Sequence, residues 1–445
     1  MRIAYIAAGA ANMYCGSCIH DNALAAALIK KGHEVALIPT YTPLRTDEAN
    51  VTLDQVFYGG INVYLEQKFS FFRHTPWLLD KLFNSRALLN LASRFSASTN
   101  AKDLGALTVS VLQGEEGRQK KELAKLIQWL QESYRPEIVQ LTNSMFLGMA
   151  REIKKALGVP LLCAVQGEDI FLSELVEPYK SQARRLMRER AKDVDGFIAT
   201  SQYYADFMAD FLQVPIDKMH VVRLGINLHG HGVLQNLNGN TKFVIGYLAR
   251  ICPEKGLHLL VEAFHQLTQK FGKNVIQLKA AGYLGERDRG YFENIVKQID
   301  KLGLSEAFQY HGEVTRHEKI NFLNSLHVLS VPTTYKEPKG LSILEALANG
   351  VPVVQPRHGT FPELLLSTGG GILVEPNSSK AIAEGIEKLM LDAELRKQLG
   401  QKGKSAVQQL FNDEVMAEAT IEVYQKYLAR SDAFRHSYFA AAASP

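Results

Sequence analysis

Short apolar runs alternate with amphipathic stretches along the first half of the chain. Arg2–Ala8, Glu34–Pro39, Glu137–Leu141, Leu161–Val165, Gly196–Thr200 and His220–Arg223 read as strands. Asp21–Lys31, Lys120–Tyr134, Met145–Leu157 and Tyr203–Phe211 carry helical spacing between them. Strands that are apolar along their whole length are buried on both faces, so the alternation predicts an α/β domain built on a parallel sheet.

The rhythm restarts after a Gly/Asn-rich stretch. Lys242–Leu248, Asn274–Ala281, Ala307–Tyr310, His327–Val331, Pro352–Gln355 and Gly371–Val374 are again short apolar strands separated by helical patterns. Two domains follow, residues 1–225 and 240–413, with Leu224–Asn240 as the linker. Open α/β sheets bind ligands at the carboxyl ends of their strands, which places the expected site in a cleft between the two. Residues 66–118 break the alternation and read as a helical insertion, with Phe69, Phe71, Phe72, Trp77 and Phe83 set among Lys68, Arg73, Lys81, Arg86 and Arg94. Residues 414–430 form a last helix whose apolar side packs back on the first domain, and the tail from Ser431 reads as loose.

Composition adds exclusions. At 445 residues one core is too small, which agrees with two domains. A formal net charge of +4, with no block of like charge, gives no call for a nucleic-acid partner. The first strand ends at Gly9 and does not resemble a secretory signal, and no apolar run is long enough for a membrane span. Four cysteines in so long a chain are no disulfide framework, so the cytosol is the expected home.

The second half carries the chemistry. Arg250 ends its first strand, and Lys255-Gly256 opens the next helix, a pairing of guanidinium and ammonium suited to phosphate oxygens. Further on, Glu337-Pro338-Lys339-Gly340-Leu341-Ser342-Ile343-Leu344-Glu345-Ala346 places one acid before a helix and another inside it. Gly340 and Leu341 would present N–H groups at the positive helix end. Carboxylates suit pairs of sugar hydroxyls, and Glu345, flanked by Leu344, Ala346 and Leu347, needs a bonding partner if buried.

Two glutamates with this spacing resemble the E-x7-E signature of retaining glycosyltransferases. With Arg250, Lys255-Gly256, Gly350-Val351-Pro352-Val353-Val354 and Pro362-Glu363, the chain resembles glycosyltransferase family 4 of the GT-B fold, two Rossmann-like doubly wound domains facing a cleft. The resemblance implies transfer of a hexose-type sugar from a nucleoside-diphosphate sugar to a glycan, lipid-linked or small-molecule acceptor, without a metal or other cofactor. It implies that Arg250 and Lys255 hold the diphosphate, Glu337 the donor-sugar hydroxyls and Glu345 the ribose hydroxyls. Gly340 and Leu341 would cap the phosphate, while the base would lie against Gly282 and Val314.

The first domain matches in outline. Gly16 and Ser17 fill the glycine-rich loop that in the family faces donor phosphate and acceptor. Gln166 stands where the family commonly has a histidine, and it cannot carry a proton. Lys339 stands where an aromatic is frequent, and its positive charge near the donor is expected to favour an acidic or phosphorylated ligand. Cys15 and Cys18 have redox or half-zinc-site spacing, but no second ligand pair completes a zinc site, and small residues filling a tight loop are the favoured reading. The aromatic–basic segment 66–95 suits either a packed helical hairpin or a peripheral contact with the inner membrane face. An NAD oxidoreductase fails because neither domain opens with G-x-G-x-x-G. A catalytically silent nucleotide-sugar-binding module is the remaining alternative.

Overall fold

The computed structural model describes residues 1–9, 15–53, 56–57, 101–232 and 242–442, without side chains for 101–103 and 432–442. Most of the insertion 66–118, including the whole aromatic–basic segment 66–95, lies outside the described residues. Its C-terminal part contains the helix Ala101–Gln113 and a 3-10 turn, Gly114–Glu116.

The chain divides into two compact units, Met1–Arg223 with Met416–Pro445, and Leu224–Val415. The first is built on β1 (Arg2–Ala7), β2 (Glu34–Pro39), β3 (Ile138–Leu141), β4 (Leu161–Val165), β5 (Gly196–Ala199) and β6 (Met219–Val221). These strands lie in the order β2-β1-β3-β4-β5-β6, all parallel. Alternation along β1 splits the core in two. Ala4 and Ile6 join one apolar cluster, whereas Ile3, Tyr5 and Ala7 join the other. The second cluster includes Met416, Ala417, Tyr424 and Tyr427 from the last helix. That helix runs Asp413–Ala442, well past Ser431, so the expectation of a loose tail from that residue is corrected. Residues 431–442 contain neither Gly nor Pro, so no helix breaker stands there.

The second unit repeats the plan with β7 (Phe243–Leu248), β8 (Ile276–Ala281), β9 (Phe308–Tyr310), β10 (Val328–Leu329), β11 (Val353–Pro356) and β12 (Gly371–Val374). The order is β12-β11-β10-β7-β8-β9, so the chain reverses direction across the sheet between β7 and β10. This is the doubly wound arrangement, and the reversal opens a crevice at the carboxyl ends of those two strands. Leu224–Gly232, expected as linker, belongs to this unit. Ile226 bridges to Asn412, Arg316 donates to the carbonyls of Asn227 and His229 at 2.9 Å each, and Lys404 donates to the carbonyl of Gly232 at 2.8 Å.

The helices follow the sequence rules. Leu257–Phe271 buries Leu257, Leu260, Val261, Phe264 and Leu267, the spacing of one helix face, and ends at Gly272 with positive φ. Arg316–Asn324 starts at a reciprocal cap, in which the Thr315 hydroxyl accepts from the Glu318 N–H and the Glu318 carboxylate accepts from the Thr315 N–H.

Candidate active site

Two loops meet at the reversal point of the second sheet. The first leaves β7 through Ala249 and Arg250, makes the 3-10 turn Pro253–Lys255, and enters the helix at Gly256. The second leaves β10 through Ser330–Gly340 and enters the helix Leu341–Ala348. A backbone bond from the Thr334 N–H to the Glu254 carbonyl, 2.9 Å, ties the loops together. Gly256 (φ +73°) makes the approach possible, because a Cβ there would stand 1.9 Å from the Pro332 carbonyl oxygen.

The loops bring a cation and an acid into contact. Lys255 Nζ donates to Glu337 Oε2 at 2.7 Å and to the Tyr335 hydroxyl at 2.5 Å, and that hydroxyl donates to the same Glu337 oxygen at 2.5 Å. Glu337 is buried, and burial opposes its ionisation. The Lys255 ammonium and the Tyr335 hydroxyl outweigh that and hold the carboxyl at about 2. Tyr335 is raised well above the usual phenol range, first by burial and then by Glu337, so it stays protonated and donates to Glu337 while its oxygen accepts from Lys255. Arg250 stays exposed at the strand end, its Nε donating to Cys252 Sγ at 3.3 Å.

Gly340 caps the following helix in the left-handed region (φ +77°), where no side chain caps the end. The first-turn N–H groups of Leu341 and Ser342 find no backbone acceptor outside the helix among the described residues. Glu345 lies inside this helix, buried, in an ion pair with Lys319. Gly282, after β8, takes φ +142°, donates its N–H to the Gly312 carbonyl at 2.8 Å, and accepts from the Tyr310 hydroxyl at 2.8 Å. Val314 is half-buried on the next loop along the sheet. Arg250, Lys255, Glu337, Gly340, Leu341, Glu345, Gly282 and Val314 therefore all lie on loops, or in the helix opened by one, beyond the carboxyl ends of β7, β8, β9 and β10.

Gly16, Ser17 and Gln166 lie in the first unit. Gly16 and Ser17 open the helix Gly16–Lys30, with Cys15 at its cap and Cys18 buried one turn in. Gln166, beyond β4, is buried and points into a polar cluster. Its Nε2 donates to Asp21 Oδ1 at 2.9 Å and to the Thr142 carbonyl at 2.8 Å. Asp21 also accepts from the Tyr5 hydroxyl at 2.6 Å and from Thr142 Oγ1, with His20 Nδ1 at 3.0 Å. Glu168 fastens the same loop by accepting from the N–H groups of Ser144, Gln166 and Gly167.

Three participants escaped the sequence reading. Tyr335, two residues before Glu337, had that nearby acid as its signal. Lys319 interrupts the apolar positions Ile320 and Leu323 of its helix, a buried-charge signal of the kind that singled out Glu345. Asp21 had none, since its partners come from β1, β3 and β4.

Among the described residues no group of three or more His, Cys, Asp or Glu side chains could hold a metal ion, and no helix is long and apolar enough to cross a membrane. Comparison with known proteins gives concordant matches. Residues 235–406 match the glycosyl transferases group 1 family, and residues 21–225 match the glycosyl transferase 4-like domain. The capsular polysaccharide biosynthesis glycosyltransferase CapM of Staphylococcus aureus is 32% identical over 43% of this chain and 48% of its own, so the chain spans about half of that relative. An uncharacterised glycosyltransferase of Methanocaldococcus jannaschii is 23% identical over 92% of this chain and 94% of its own. Among solved structures, sucrose-phosphate synthase from Thermosynechococcus elongatus superposes with TM-score 0.69 at 17% identity, covering 96% of this chain and 99% of that one. Anabaena HepE in complex with UDP gives 0.67 at 17% identity, covering 96% and 100%.

Proposed function

Because this chain belongs to the family 4-like GT-B glycosyltransferases, we propose that it is a retaining enzyme that transfers a hexose-type sugar from a nucleoside-diphosphate sugar to a glycan, lipid-linked or small-molecule acceptor. The observation that carries this reading is the junction of the two loops at the reversal point. There Lys255, Glu337 and Tyr335 form one hydrogen-bonded cluster beside Arg250, and the other Glu337 oxygen accepts from the N–H groups of Lys339 and Gly340 at the helix start, 3.4 Å each.

Departure of a nucleoside diphosphate builds negative charge, and fixed cations with free N–H groups stabilise it. Arg250, Lys255 and the N–H groups of Gly340 and Leu341 supply that field without a metal cofactor. When a donor enters, Lys255 turns part of its bonding from Glu337 to the diphosphate, and Glu337 accepts hydroxyls of the sugar. The departing diphosphate takes the proton of the incoming hydroxyl, so the reading needs no separate base. Gly282 and Val314 flank the base, Glu345 takes the ribose hydroxyls, and Gly16, Ser17 and Gln166 belong to the acceptor side. The structure of HepE in complex with UDP supports a nucleotide-sugar donor. Lys339 adds positive charge near Glu337 and favours an acidic or phosphorylated donor. Equal turnover of neutral and acidic donors, unchanged in Lys339→Ala, would count against that preference. A cytoplasmic location, peripheral contact through 66–95 and the absence of a nucleic-acid partner complete the proposal.

Thermal shift with UDP, GDP, ADP and NAD, with and without EDTA, tests it. A nucleoside diphosphate at about a hundred times its dissociation constant adds about 2.7 kcal/mol. A shift with one of these diphosphates, insensitive to EDTA and lost in Glu345→Ala, is expected. One observation favours a second reading, a silent binding module: the Gln166 amide is tied to Asp21 and cannot act as an acid or base. Product formation, with the α or β configuration of the donor kept and read by NMR, excludes it.

A further inference from the structure

Lys319 and Glu345 form an ion pair in which both side chains are 8% exposed. A pair buried on both sides is a poor stability device, since apolar residues of similar size often serve as well or better. Its place in the fold points to another use. Lys319 lies in the helix Arg316–Asn324, whose start is fixed by the Thr315–Glu318 cap directly after the loop that carries Val314. Glu345 lies a turn inside the helix opened by Gly340, and its carbonyl accepts from Asn349 Nδ2 at 2.8 Å. The pair therefore joins the two elements that, in the proposed function, flank the base and the diphosphate. The ribose falls between these.

On that reading of the site, we infer that Lys319 is a positioning residue: it holds the Glu345 carboxylate as the acceptor for the ribose diol and makes the donor site selective for ribonucleoside over 2′-deoxyribonucleoside diphosphates. A carboxylate offers about four lone-pair directions, and Lys319 takes one of them. The ammonium fixes where the carboxylate stands, and a charged acceptor bonds hydroxyl donors about twice as strongly as a neutral one. Without Lys319 the carboxylate is no longer held in place, and the 2′-hydroxyl loses its partner.

The experiment is calorimetric titration of the full chain with the best-bound nucleoside diphosphate and its 2′-deoxy form. Wild type should prefer the ribose form by about tenfold or more, the scale of one hydrogen bond to a charged group. Lys319→Met and Glu345→Gln should both bring the ratio to within about twofold, and Lys319→Arg should keep most of it. In turnover, Lys319→Met should raise the donor KM by a larger factor than it lowers kcat. A wild-type ratio in Lys319→Met overturns the inference while leaving the functional reading intact, because a purely structural pair would alter melting temperature and not the ratio. Should Lys319→Met fail to fold, an unchanged ratio in Glu345→Gln overturns it equally. A wild type that binds no nucleoside diphosphate removes the functional reading, and this inference with it.

Discussion

The Lys255–Glu337–Tyr335 cluster concentrates the expected chemistry in three side chains. Lys255→Ala and Arg250→Ala should each lower kcat/KM by at least about a hundredfold, the scale of a lost oxyanion donor. Initial rates over a range of donor concentrations check this, and wild-type rates in either variant would contradict the assignment. The pH behaviour follows from Glu337, whose carboxyl sits at about 2 when folded. A carboxyl depressed on folding contributes stability that is present above its unfolded value of about 4.3 and fades as pH falls toward the folded value. Between pH 5 and 8 Glu337 should therefore give the rate profile no acid limb. Lys255→Met removes the cation but leaves the burial, and should bring such a limb into that window.

Among the elements, the approach of the two loops rests on Gly256. Gly256→Ala puts a Cβ 1.9 Å from the Pro332 carbonyl oxygen and keeps a positive φ that alanine resists. Destabilisation should exceed about 1 kcal/mol. Activity should fall further than stability does, because the cluster separates, and denaturant melts beside rates at matched folded fraction would show this. The strand ends are tied by His327, just before β10. Its Nδ1 accepts from the Val244 N–H at 3.0 Å and its own N–H reaches the Val244 carbonyl, while its ring stacks on Phe243 at 5.0 Å. Burial, then Arg396 and Lys279, lower the imidazole to about 4. The neutral ring's contribution is whole above the ordinary value of about 6.5 and is lost as pH falls from there toward 4. Melting temperature should drop between pH 7 and 5, and His327→Gln, which keeps an acceptor, should flatten part of that drop. Equal slopes would exclude the role.

For the whole molecule, the last helix belongs to the first unit's core although it follows the second unit in sequence. Tyr424 is fully buried there and its hydroxyl donates to Gln140 Oε1. Tyr424→Ala should cost about 3–5 kcal/mol, the range for removing a large buried ring. The calorimetric transition that moves with nucleoside diphosphate should not be the one that this substitution lowers. A loss of nucleotide affinity in the folded variant would show that the two units do not divide the work in this way.

By itself the sequence determined the two α/β rhythms and the strands that carry them, because strands buried on both faces must be apolar throughout and helices must show their own period. Through its resemblance at Arg250, Lys255, Glu337 and Glu345 it also pointed to the family that the matches over residues 21–225 and 235–406 show. Only the tertiary structure decided which side chains answer one another. Lys255 meets Glu337 across 82 positions of sequence, Lys319 answers Glu345, and Gln166 turns to Asp21. The reversal of strand order between β7 and β10 creates the crevice, and no local pattern encodes which strands become neighbours. The partners of a buried charge come from elements distant in sequence, so a sequence can show that a charge needs a partner without showing which residue provides it.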